Sequence, residues 1–131
     1  MTTSSAQVHQ SLSELDASHW QAHFGHADPF LSWDFLRGLE TSGCTSPESG
    51  WQPAHISFSE SGSPTALLPT YLKSHSYGEY VFDWSWADTW QRMGLRYYPK
   101  LVTAIPFTPA TGQRFGCQEH VAETLPRIVS A

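Results

Sequence analysis

QPAHISFSESGSPTALLPTYLKS, residues 52–74, decides the fold. Its two halves, Gln52–Ser59 and Thr65–Ser74, are strand-like, and Glu60–Pro64 (ESGSP) between them has the composition of a hairpin loop. In the first half Ala54, Ile56 and Phe58 alternate with His55, Ser57 and Ser59, the period-two signature of a strand with two unlike faces. Pro69 has no amide proton to give to a ladder, so it predicts an edge position, a bulge or a kink in the second half.

Beyond the hairpin, Gly78–Trp84 reads as a third strand and Ala87–Met93 as a short helix closed by Gly94. Pro99–Pro106 reads as a buried strand, since Leu101, Val102, Ala104 and Ile105 form a near-continuous apolar run. Thr108–Gly116 is a loop, and a last helix starts near Gln118 with Val121, Leu125 and Ile128 on one side, interrupted by Pro126. Before the hairpin, residues 1–6 read as a frayed, disordered tail. Val8, Gln10 and Leu12 share one side of a short strand. Asp16 is placed to cap a helix through Phe24, with Trp20 and Phe24 on one face, and Ser32 to cap a second one bearing Trp33, Leu36 and Leu39. Asp28 before Pro29 is a competing start for the second helix, and Cys44–Gly50 is a turn-rich linker. The order β-α-α-β-β-β-α-β-α places residues 7–131 in one domain of the α/β (α+β) class, a mixed sheet flanked by helices. Because the apolar helical pattern runs to Ala131, the domain is expected to be incomplete at its C-terminus, lacking a strand beside Pro99–Pro106.

Composition narrows the function. The 131 residues are 40% hydrophobic, and no stretch approaches the ~20 apolar residues of a membrane span. Aromatic content excludes wholesale disorder. Charged residues make up only 15%, against about 25% in a typical soluble domain. The net charge of −5 is uneven: residues 1–60 hold one base, Arg37, against seven acids. With no basic stripe, DNA is not an expected partner. The N-terminus lacks the basic and apolar regions of a secretory signal, so a cytoplasmic location is expected, with Cys44 and Cys117 as reduced thiols.

Half of the eighteen aromatics fall between Tyr71 and Tyr98. At the centre of this cluster, Glu79 and Asp83 share one face of the expected third strand, while Tyr80, Phe82 and Trp84 share the other. Two readings stand. The acids belong to a solvated face opposite a packed aromatic one, or they serve as proton acceptors, with Tyr77, Tyr80, Trp84 and Trp86 contacting substrate. Similarly, the run from Tyr97 to Gly116 is either an ordinary strand–loop–helix connection or a phosphate cradle built on Thr111, Gly112 and Arg114. His19, His23 and His26 read as surface histidines and not as metal ligands, since no HExxH pattern frames them. No GxSxG elbow supports a serine hydrolase, and no GxGxxG or GxxxxGK[ST] loop is present.

PFLSWDFLRGLETSG (29–43), GWQPAHISF (50–58), LPTYLKSHSYGEYVFDWSWAD (68–88) and LRYYPKLVTAIPFTPATGQR (95–114) together resemble the FemAB-like peptidoglycan biosynthesis/recognition family. The resemblance spans roughly residues 8–131, and the family is placed in the GNAT-like acyl-CoA N-acyltransferase superfamily. It implies a GNAT-like fold and the N-terminal portion of a longer, two-half protein, inactive without its C-terminal half. The implied activity is transfer of an acyl or aminoacyl group to an amine on a small molecule or a peptidoglycan precursor. Acyl-CoA or aminoacyl-tRNA is the implied donor, tRNA entering only in that role. In the superfamily a Q/R-x-x-G-x-G/A loop holds the donor's pyrophosphate; here PATGQRFG (109–116) keeps glycines and Arg114 but departs from that pattern. The resemblance supplies no catalytic base, so Glu79 and Asp83 rest on chemistry alone. A glycan- or peptide-recognition module that has lost catalysis is the rival expectation.

Overall fold

The computed structural model describes residues 4–79, 82–118 and 121–130. One kinked hairpin organises it. Its first arm comprises β2 (Trp51–Pro53) and β3 (His55–Glu60), its second β4 (Ser63–Leu68) and β5 (Thr70–Lys73), all paired antiparallel. Pro69 separates β4 from β5 as the expected kink, opposite His55 in the register, while the amide of the neighbouring Ala54 donates to Thr70 O at 2.9 Å. The five-residue loop expected at 60–64 tightens to Ser61 and Gly62, both at positive φ (52° and 83°), the backbone of a two-residue hairpin turn.

The kink divides the hairpin between two sheets. In one, β1 (Ser4–His9) and β7 (Gly116–Cys117) flank it in the order β1-β3-β4-β7; in the other, β6 (Lys100–Thr103) completes β2-β5-β6. Every described strand pair is antiparallel. With α1 (Ala17–Phe24), α2 (Trp33–Thr41), α3 (Trp84–Arg92) and α4 (Val121–Ser130), the chain has the mixed α+β class expected. β6 and β7 both lie on the outer flank of the hairpin's second arm, so residues 104–115 leave the sheet between them.

Local chemistry fixes the first two helices. Asp16 accepts hydrogen bonds from the amides of Ser18 and His19, and Ser32 accepts one from Phe35. α1 then lays Trp20 and Phe24 on the four-stranded sheet, where Leu12, Leu31, Leu36, Leu67 and Ile105 close the core. A Cβ on Gly116 would come within 2.9 Å of His23 O and the Phe24 ring, so glycine lets α1 approach β7.

Several expectations need correction. Ser4, Ser5 and Ala6 are not a frayed tail but pair with Glu60, Ser59 and Phe58. His23 is buried, not a surface histidine, and its Nδ1 lies 2.7 Å from His19 O. Pro126 does not interrupt α4, which runs through it. Among the described residues, 78–84 holds no strand: Trp84 already starts α3, three residues before the expected helix.

The hairpin also buries a polar group that predicts a pH response. Tyr71 is enclosed, and its hydroxyl has no hydrogen-bond partner among the described residues. Burial, then the nearby Glu40 charge, pushes that hydroxyl far above its ordinary value of 10.0. The native state therefore keeps Tyr71 neutral where the unfolded chain ionises it. The contribution of Tyr71 to stability is fully present below about pH 10 and is lost as the pH rises further. Tyr71→Phe is expected to flatten this alkaline loss in thermal melts and to cost nothing near neutrality, since it removes an unsatisfied hydroxyl.

Candidate functional site

The acidic segment is held by the strand behind it. Lys73, at the end of β5, is fully buried, with Nζ 3.7 Å from the centre of the Trp51 ring. Lys73 Nζ (2.5 Å) and Trp51 Nε1 (3.1 Å) both donate to Tyr77 O, clamping the backbone just before the acid. Gly78 follows at φ +79°, where a Cβ would lie 2.6 Å from the Phe107 ring and 2.9 Å from Trp51 Nε1. No other residue fits that turn without displacing a cleft wall.

Glu79 then faces two lysines. Its Oε1 accepts from Lys100 Nζ at 2.9 Å, while Oε2, enclosed and without a hydrogen bond among the described residues, lies 3.6 Å from Lys73 Nζ. Lys100 also donates to Asp83 Oδ2 (2.5 Å) and Ser76 Oγ (3.1 Å). Asp83 accepts two more short hydrogen bonds, from Ser76 and from the Tyr97 hydroxyl, and Tyr98 Oη lies 2.5 Å from Ser76 Oγ.

These contacts set the charges. Partial burial works to raise the Asp83 carboxyl, but bonds from Lys100, Ser76 and Tyr97 outweigh it and hold it well below the usual carboxylate range. Burial likewise opposes the charge on Lys100, yet Asp83 and Glu79 keep that ammonium above its ordinary value. For Lys73 burial wins, and its ammonium is lowered despite Glu79. At neutral pH an ionised Asp83 and a firmly protonated Lys100 share the cluster with Glu79.

A cleft of about 750 Å³ opens beside it. Glu79 and Phe82 line it from one side, Val102 from β6, and Thr111, Gly112 and Arg114 from the loop that leaves the sheet; Trp51 and Phe107 are part of its apolar wall. The two sequence candidates farthest apart, the acid at 79 and the loop at 111–114, therefore meet in one cavity. Asp83 is not among the lining residues. Tyr77, Trp84 and Trp86 are exposed outside the lining, Tyr77 and Trp84 in edge contact at 5.2 Å. Tyr80 lies outside the described residues. Arg114 donates to its own loop, to Ala110 O (2.9 Å), Gln113 O (3.2 Å) and Gly112 O (3.4 Å).

Sequence reasoning missed Lys73, Lys100 and Trp51. A signal existed: two acids in a charge-poor chain call for counter-ions, and both lysines stood in strand-like runs on either side. They are register partners across β5 and β6. The resulting arrangement can hold an uncharged or aromatic body against apolar walls and present a fixed carboxylate to a proton-bearing group.

A family model described as peptidoglycan biosynthesis/recognition, FemAB-like, matches residues 11–130. No curated protein and no solved structure matches the chain. No described helix is long and apolar enough to cross a membrane.

Proposed function

Because the chain belongs to the FemAB-like family of peptidoglycan biosynthesis and recognition, we propose that its cleft serves transfer of an acyl or aminoacyl group to an amine, with Glu79 as proton acceptor. One observation carries this reading: Glu79 and the Thr111–Gly112–Arg114 loop line the same cavity. The acceptor is an amine-bearing molecule of the peptidoglycan-precursor class, and the donor a thioester or an aminoacyl ester met in the cytoplasm.

Placed in the cleft, the amine nitrogen attacks the acyl carbonyl. The amide bond forms as the donor's C–S or C–O bond breaks, and the amine proton passes to Glu79 and on to the departing sulfur or oxygen. Holding both partners in one cleft supplies orientation, and Glu79 supplies the base. Thr111, Gly112 and Arg114 form the donor side of the cleft in this reading, and the exposed Tyr77, Trp84 and Trp86 extend the acceptor side.

A second reading, recognition without transfer, has one specific observation in its favour. The Arg114 guanidinium donates to three carbonyls of its own loop.

Calorimetric titration with acetyl-CoA and with alanyl-tRNA separates the two. Transfer requires that one donor binds, and that Glu79→Gln keeps the binding while lowering turnover by roughly 10²–10⁴. Failure of both donors to bind leaves recognition as the function.

A further inference from the structure

Asp83 occupies the N-cap of α3 but does not cap it: its side chain makes no hydrogen bond to the helix's first amides. A capping Asp ordinarily stabilises a helix by accepting from its first free amides. Here that contribution is given up, and both carboxylate oxygens turn the other way. Oδ1 takes the Ser76 hydroxyl; Oδ2 takes the Tyr97 hydroxyl and Lys100 Nζ. Lys100 thus lies between two carboxylates, Asp83 at 2.5 Å and Glu79 at 2.9 Å, and only Glu79 reaches the cleft.

We propose that Asp83 is a positioning residue which, by holding Lys100, sets how tightly that lysine grips the Glu79 carboxylate in the cleft. The inference rests on the reading of Glu79 as proton acceptor and extends it to the group that tunes the acid. Three charged groups face Glu79: Lys73 from the end of β5, Lys100 from β6, and, through Lys100, Asp83 from the head of α3. Arg114 lines the same cleft from the opposite loop. Two of the three are fixed in what they can do. Lys73 is committed to Trp51 and the Tyr77 carbonyl, and Lys100 cannot leave both acids. Asp83 is the group whose charge divides the attention of Lys100. With Asp83 ionised, Lys100 is shared; without that charge, Lys100 turns wholly to Glu79 and a proton is harder to place there.

The sign can be tested without turnover. In a chain labelled with [5-¹³C]glutamate, the Glu79 carboxyl resonance is assigned by its loss in Glu79→Gln, then followed through acid titration. Asp83→Asn is expected to move its protonation to lower pH by about one pH unit. Asp83→Glu, which restores the charge, brings it back. Tyr97→Phe removes one donor from Asp83 while leaving every charge in place. Asp83 then draws Lys100 harder, and Glu79 moves the opposite way by a smaller amount. Asp83→Asn is compared with the parent by near-ultraviolet circular dichroism; should it fail to fold, Tyr97→Phe carries the test. A Glu79 transition that stays put in the folded variants overturns the proposal, as does movement in the same direction for Asp83→Asn and Tyr97→Phe. If the transition moves as expected but neither donor binds, the coupling stands and only the transfer reading falls.

Discussion

Trp20→Ala is expected to cost about 3–5 kcal/mol, the range for truncating a fully buried large aromatic. Trp20 has no exposed surface, stacks on Phe24 with ring centres 4.6 Å apart and meets His55 edge-on at 6.1 Å. Its Nε1 also donates to Leu31 O at 2.8 Å, tying α1 to the short turn that precedes α2. Truncation opens a cavity at the centre of the core and orphans that carbonyl. Against a total stability of order 5–15 kcal/mol, the loss removes a large fraction of it and should lower the melting temperature markedly. Trp20→Phe separates the two terms. It keeps most of the apolar volume and loses the hydrogen bond, so urea denaturation should show about 1–3 kcal/mol for that variant. Equal losses for Phe and Ala would mean that packing at Trp20 contributes little, against this account of the core.

The importance of Trp20 was legible because its signals are local. Asp16 marks the start of α1, and a spacing of four residues brings Trp20 and Phe24 to one face. The hairpin was legible for the same reason: alternation gave its arms, Glu60–Pro64 its loop and Pro69 the irregularity in its second arm. Expectations failed where a distant group decided the matter. Glu79, Phe82, Asp83 and Trp84 fit a period of two, and Trp86, Trp90 and Met93 fit a helix equally well at i, i+4 and i+7. The structure starts the helix at Trp84 while the Asp83 carboxylate turns to Lys100, seventeen residues on in sequence. The pairing of Ser4–Ala6 was hidden for a related reason. Small polar residues have no strand signature of their own, and their ladder partners lie more than fifty residues away.

The candidate site divides in the same way. Which residues bear chemistry could be read from type: Glu79 and Asp83 as acids, Thr111, Gly112 and Arg114 as a loop. Which of them share a cavity could not, because that depends on how far residues 104–115 depart from the sheet between β6 and β7. Nor could the lysines be placed. Lys73 points to the cleft side only because β2 and β5 pair with Trp51 opposite Lys73, and a register slip of one residue would turn it to the other face.

That register supports the second large prediction. Glu79→Leu is expected to destabilise the protein by about 3–5 kcal/mol, the cost of leaving a buried charge without its partner. The charge left behind is Lys73, whose side chain has no solvent exposure; Lys100 still has Asp83. Tyr77 O and the Trp51 ring remain to Lys73, so the lower end of the range is the better expectation. Lys73→Met should cost less, because Glu79 keeps its bond to Lys100. The double variant Lys73→Met, Glu79→Leu removes both charges at once and should be more stable than Glu79→Leu alone. In a double-mutant cycle by urea denaturation the coupling should fall between about 0.5 and 3 kcal/mol. Strictly additive losses would mean that the 3.6 Å approach of the two groups is energetically empty. The same pair of variants divides folding from chemistry. On the proposed transfer reading, removing Lys73 can restore the stability lost with Glu79 but cannot return the proposed proton acceptor to the cleft, so turnover should stay roughly 10²–10⁴ below the parent's in the stabilised double variant. Recovery of transfer there would show that Glu79 acts only by neutralising Lys73, and that the base lies elsewhere in the cleft.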